Sequence, residues 1–110
     1  MDVAANSRAL DLEEDEYLEL LRLFIRTSAA NLSDLSRAVD QNRADQTAAL
    51  AHKIKGAALN LNLPAVARHA RDIETESKQG SLENVSSSLS GLKRSVEEVS
   101  SAVAGWMDKP

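Results

Sequence analysis

Chemistry has few places to reside in this 110-residue chain. It holds two histidines, His52 and His69, and no cysteine. A thiolate zinc site, a disulfide scaffold and a Cys nucleophile are therefore excluded. The four glycines are scattered singly and form no phosphate loop, and neither a Ser/His/Asp elbow nor a His-Glu-x-x-His helix occurs. What remains is His52 with Lys55 three residues on and Gly56 four residues on. A neutral imidazole is nucleophilic near pH 7 and can carry a covalent group. A lysine at i+3 can bring its ammonium to an anion held on that ring. The bland reading is an exposed histidine beside a solvated lysine. Gly56 weighs against it, because a helix-interior glycine costs about 1 kcal/mol relative to alanine and no core contact calls for one here.

The elements that carry these residues read as helices. Asp11, with Glu14 three residues later, predicts a capped helix start. The positions Tyr17, Leu21, Phe24, Ser28, Leu32, Leu35 and Val39 recur at steps of three and four. Weak helix formers at Thr27, Ser28 and Asn31 divide the stretch into helices over about 12–28 and 29–41, kinked or nearly continuous. Asn42 is the expected cap of a helix over about 43–61, with the stripe Thr47, Leu50, Ile54, Ala57, Ala58 and Leu61. Pro64 suits the first turn of the next helix, which buries Val66, Ala70 and Ile73 and stops at Gly80. Ser81 is the expected cap of the last helix, whose stripe runs Val85, Leu89, Leu92, Val96, Val99, Val103 and Trp106. Short connections between long helices force antiparallel neighbours. The expected fold is all-α: an antiparallel up-down four-helix bundle with an additional N-terminal helix or helix extension. Residues 1–10 read as a flexible lead-in and 11–108 as a single domain.

At about 100° per residue, His52 lies roughly 160° from the centre of its helix's apolar stripe. It therefore faces away from the core. Gly56 shares that outward face, and Ala48, Ala49 and Leu59 share or flank it, making a small, apolar patch suited to docking. Such an arrangement suits a phosphoryl carrier, since phosphoryl transfer needs mainly in-line positioning and charge neutralisation. Mg²⁺ and an acceptor carboxylate would come from the partner, because no acidic cluster lies beside His52. His69, near the edge of the Val66, Ala70 and Ile73 stripe, reads as a structural or rim histidine.

The segment Ala51-His52-Lys53-Ile54-Lys55-Gly56-Ala57-Ala58 resembles the His-x-x-Lys-Gly motif of histidine-containing phosphotransfer (HPt) domains, the four-helix-bundle carriers of two-component phosphorelays. The resemblance covers about residues 12–105. It implies that His52 is the phosphorylated residue, that Lys55 interacts with the phosphoryl group, and that Gly56 leaves room for a receiver domain. It also implies a supporting role for Glu74, which falls where the family commonly has Glu or Gln near the active histidine. One departure is Asn62, which stands where many members have a glycine after the motif helix.

Composition narrows the remaining classes. Hydrophobic residues at 43% and charged residues at 27% fit a folded globular chain, and 3% aromatics argue against a β-sandwich or barrel. A net charge of −4, from 13 basic and 17 acidic residues, argues against sequence-independent nucleic-acid binding. No signal peptide and no membrane span is expected, and the expectation is a cytoplasmic monomer. The leading expectation is a relay intermediate that takes a phosphoryl group from a receiver-domain aspartate onto His52 and passes it to another receiver, without ATP or metal chemistry of its own. The alternatives are the phosphorylated domain of a chemotaxis-type histidine kinase and a purely structural interaction bundle.

Overall fold

The computed structural model describes residues 1–107, and the expected domain end at residue 108 lies outside them. Five helices follow one another: α1 (Val3–Ala9), α2 (Glu14–Asp40), α3 (Ala44–Asn60), α4 (Pro64–Lys78) and α5 (Val85–Met107). The last four form an antiparallel bundle in which α3 lies between α2 and α4, and α5 closes the ring against α4 and α2. No strand occurs among the described residues.

The expected apolar stripes supply the core. Tyr17, Leu21, Phe24 and Leu35 of α2 are buried against Ile54 and Ala58 of α3, Val66 and Ile73 of α4, and Val85, Leu92 and Val99 of α5. Leu32, Val39 and Trp106 are partly buried at its margin. Two buried hydroxyls are satisfied within their own helices: Thr47 donates to the Arg43 carbonyl at 2.8 Å and Ser77 to the Ile73 carbonyl at 2.7 Å.

Several expected boundaries need correction. The 12–28 and 29–41 stretches are one continuous 27-residue helix. Core burial of Ser28 and Leu35 outweighs the weak helix formers between them. Asp11 does not cap it. The cap is Glu13, whose box partner is Glu16, and the Glu13 N–H donates to Glu16 Oε1 at 3.0 Å. Nor is the segment before Asp11 a loose lead-in. Asp2 caps α1 by accepting from the Ala5 N–H at 2.9 Å, and Val3 and Ser7 are buried. Ser81 accepts from the Glu83 N–H in a turn, and α5 begins only at Val85.

Asn42 also has a different role from the expected cap. Asp11, Asn42 and Asn62 take positive φ values of 57°, 54° and 58°, each immediately past a helix end. After α2, the Arg43 N–H donates to the Ala38 carbonyl and the Asn42 N–H to the Val39 carbonyl. The same pair of bonds recurs at Leu63 and Asn62 after α3, and at Leu12 and Asp11 after α1. This is the Schellman ending, and Asn and Asp are the non-glycine residues that best tolerate its left-handed position. Asn62 thus closes the motif helix where a glycine is usual. Its side chain donates to Asn6 Oδ1 at 2.9 Å, and Asn6 donates to the Tyr17 hydroxyl at 3.2 Å. That hydroxyl donates to the Leu61 carbonyl at 2.6 Å, so α1 and α2 both hold the turn into α4.

Candidate functional site

The site grows from the way α3 meets α4. Ala48, Ala51 and Ala58 of α3 are buried, as are Ala67 and Ala70 of α4. Small side chains let two helices approach closely. They also turn the core face of α3 by roughly 55° from the expected stripe. Ala48, expected on the open face, is therefore buried, and Ala57, expected in the core, is exposed. Leucine and isoleucine positions alone misplace that face, because alanines carry part of the packing.

The same rotation sets His52 about 115° from the core direction, outward but leaning towards α4. Its side chain is 66% exposed, yet its Nδ1 lies 2.8 Å from Glu74 Oε2 on α4. Lys55 donates to the other carboxylate oxygen, Oε1, at 2.7 Å. Lys78, one turn beyond Glu74 on α4, pairs with Oε2 at 3.1 Å. The Glu74 side chain is only 7% exposed. The hydrogen bond from Lys55 is the main reason its carboxyl is held at about 2 rather than 4.5. Lys78 and His52 add to that pull, and burial opposes it. Glu74 is thus an anion near neutral pH and can only accept hydrogen bonds. A neutral His52 must carry its proton on Nδ1, which leaves the Nε2 lone pair free.

The surroundings of His52 divide into two sides. Gly56 and Ala49 lie outward, with nothing within 4 Å of the position a Gly56 Cβ would take. Further round α3, on its α2 side, the exposed Leu20 and Leu23 border a shallow apolar groove of about 240 Å³ with Ala57 and Leu61. Towards α4, Lys55, Leu59, Arg68 and Arg71 line a second, basic groove. Leu59 is 62% exposed. The structure therefore brings together His52, Lys55, Gly56, Ala49, Leu59 and Glu74, and leaves out Ala48. Sequence reasoning missed Lys78, Leu20, Leu23, Arg68 and Arg71. Lys78 had a signal, since it stands four residues after Glu74 on one helix face. Leu20 and Leu23 had only their departure from the α2 stripe.

His69 belongs elsewhere. A Cβ on Gly91 of α5 would fall 2.6 Å from its Cε1 and 2.7 Å from its Nδ1, so the ring lies against the glycine. Gly56→Ala should therefore raise stability by about 0.5–1 kcal/mol, the helix-propensity gain. Gly91→Ala should give no such gain, because the imidazole must move. Urea unfolding of the two variants and the parent decides this. Equal stabilisation by both would mean that His69 imposes nothing on Gly91. Among the described residues, no group of three or more His, Cys, Asp or Glu side chains could hold a metal ion.

A helical bundle that presents one imidazole to solvent, its second nitrogen tied to a buried carboxylate, has the build of a group carrier rather than of an enclosed catalytic pocket. The family model of the Hpt domain matches residues 19–102, and the chain belongs to that family. Its general function is phosphotransfer in a phosphorelay; Hpt domains are carriers rather than catalysts and interact with receiver domains. A similar solved structure is the crystal structure of the HPT domain from the Hpt sensor hybrid histidine kinase of Shewanella. It is 19% identical, with a TM-score of 0.81 over 97% of this chain and 92% of that one. No curated protein matches the chain. No helix among the described residues is long and apolar enough to cross a membrane.

Proposed function

We propose that the protein is a phosphorelay intermediate that takes a phosphoryl group from the aspartate of one receiver domain onto His52 and gives it to the aspartate of another. The observation that carries this is the 2.8 Å contact between His52 Nδ1 and Glu74 Oε2. It aims a free Nε2 lone pair at solvent. In the forward step that lone pair forms the N–P bond while the aspartyl O–P bond breaks, its electron pair returning to the receiver's carboxylate. The Nδ1 proton stays in place, and the positive charge developing on the ring faces the Glu74 anion. The reverse sequence delivers the group to the second receiver. Mg²⁺ and the acceptor carboxylate come from the receiver, so the carrier needs no ATP or metal site of its own.

Docking follows from the two sides of the site. Ala49, Gly56 and Leu59 offer apolar contact without bulk beside the imidazole, and the exposed Leu20 and Leu23 of α2 would extend the docking surface further round the bundle. The carrier would act as a monomer in the cytoplasm, the compartment its receivers would share.

The test is transfer from a purified phosphorylated receiver domain. Rapid, reversible labelling of the protein is expected. No labelling from any receiver tried, with the fold intact, would favour a structural module. Labelling only by an ATP-dependent kinase domain would favour the chemotaxis-type alternative. Lys55 adds a graded expectation. A phosphoryl group brings nearly two negative charges, and the Lys55 side chain is 24% exposed. Solvent moderates the pairing. Lys55→Ala should slow transfer without abolishing it, and Lys55→Arg should retain more activity. Equal rates in all three proteins would remove Lys55 from the mechanism.

A further inference from the structure

The carboxylate behind His52 is shared by three groups, and the sharing is uneven. Lys55 alone occupies Oε1, whereas Oε2 receives both His52 Nδ1 and Lys78. Resting on the reading of His52 as the phosphoryl acceptor, we infer that Lys78 is a positioning residue that holds Glu74 on His52 while Lys55 turns to the phosphoryl group.

The argument is one of charge accounting. In the resting protein Lys55 is bound to Glu74, not to the imidazole. To neutralise a group on Nε2 its ammonium must leave Oε1 or stretch away from it. Glu74 is almost fully buried, and a buried carboxylate without a cation is costly. It would take up a proton or swing towards water, and either change would loosen its hold on Nδ1. Lys78 prevents this. It sits on the same helix, one turn from Glu74, and its side chain is 67% exposed. Its position is set by α4 alone, so it does not depend on what happens at Nε2. Two cations on one carboxylate are redundant in the resting state and become necessary once one of them is engaged elsewhere.

The groups facing Glu74 are His52 and Lys55 from α3 and Lys78 from α4 itself. Arg71, one turn back on α4, lines the same seam beside Lys55. From α5, Ser88 reaches the neighbouring Glu76 at 2.9 Å instead.

Redundancy makes a specific prediction about coupling. Lys78→Met removes the charge and keeps the apolar stem. Alone, it should raise the Glu74 titration midpoint only slightly, because Lys55 remains. Lys55→Met alone should raise it more, because Lys55 is the main cause of the depression, but Lys78 still holds the carboxylate. The double variant should raise the midpoint by well over the sum of the two, on the order of 1–3 pH units in total. Carbon-detected NMR of the Glu74 carboxyl in the whole protein reads this without any phosphotransfer.

The second arm uses phosphoramidate as a small phosphoryl donor. Its P–N bond breaks, ammonia leaves and the Nε2–P bond forms. In the phosphorylated protein, Lys78→Met alone should now raise the Glu74 midpoint by about 1 unit or more, and nitrogen shifts should show a weakened Nδ1–H bond. Lys78→Arg should restore both. Additive single effects, or a Glu74 midpoint that Lys78→Met leaves unchanged after phosphorylation, would overturn the proposal. Failure of phosphoramidate to modify His52 would instead count against the reading of His52, leaving the coupling in the unmodified protein to decide Lys78.

Discussion

His52→Gln should abolish phosphoryl labelling from a phosphorylated receiver, and His69→Gln should not. This is the largest effect expected of any single substitution. The imidazole of His52 is the only one in the chain that is both largely exposed and bonded at Nδ1 to a carboxylate. Glutamine has no ring nitrogen with a lone pair to attack phosphorus. The fold should be indifferent to the change, because a 66% exposed side chain contributes little to the core. Circular dichroism should be unaltered. His69 packs on Gly91, so His69→Gln trades one side chain for another at a helix crossing and leaves the acceptor in place. Persistent labelling of the His52 variant would move the phosphorylation site elsewhere and dismantle the proposed mechanism.

Glu74→Leu should come second. It removes the acceptor for Nδ1–H and leaves Lys55 and Lys78 beside an apolar side chain. Without that bond the ring can turn and exchange tautomers. Loss of the outer partner of a metal-binding histidine typically costs about ten- to a hundredfold, and by analogy a fall of that order in transfer rate is expected. Glu74→Gln should lose less, since its amide oxygen still accepts from Nδ1–H. Stability should also fall at pH 7, by about 1–2 kcal/mol. That is less than for a fully buried pair, because both lysines can turn to water.

The pH dependence has a definite sign. The Glu74 carboxyl titrates at about 2 in the folded protein, below its ordinary 4.5. A depressed carboxyl contributes stability above the ordinary value, and that contribution is lost as pH falls through the folded one. The stability gap between the parent and Glu74→Gln should therefore be full at neutral pH and shrink between pH 4.5 and about 2. Acid titrations of unfolding free energy for the two proteins measure it. A gap that stays constant down to pH 2 would mean that Glu74 is not the charged hub described above.

The helices were legible because their apolar positions repeat. Val85 to Val103 in α5 and Tyr17 to Leu35 in α2 point one way around a helix, and burial follows. Helix ends were less legible. Asn42 and Asp11 have the chemistry of an N-cap, and that same short polar side chain also suits a left-handed C-terminal position. Only the tertiary path decides between the two. The open face of α3 lies roughly 55° from its expected direction, since Ala48 and Ala57 are equally apolar on paper and packing against α4 separates them. His52, Lys55 and Gly56 were readable from spacing and motif. The meeting of Glu74 with His52 and Lys55 was not readable from spacing, because it joins residues on two helices. Lys78 went unread because an exposed lysine four residues from a glutamate is ordinary until the glutamate is known to be buried.

A single open face around one imidazole has a consequence for traffic. On the proposed mechanism, donor and acceptor receivers would use the same patch, so they would take turns and never sit on the carrier together. The relay would then be a turnstile with ping-pong kinetics. An idle, unphosphorylated receiver would compete with every phosphorylated one, and its concentration would set how often the carrier is found vacant. Throughput depends on how fast each receiver departs as much as on the chemistry at phosphorus. Substitutions at Leu20, Leu23 or Leu59 that tighten docking would therefore slow the relay by delaying release.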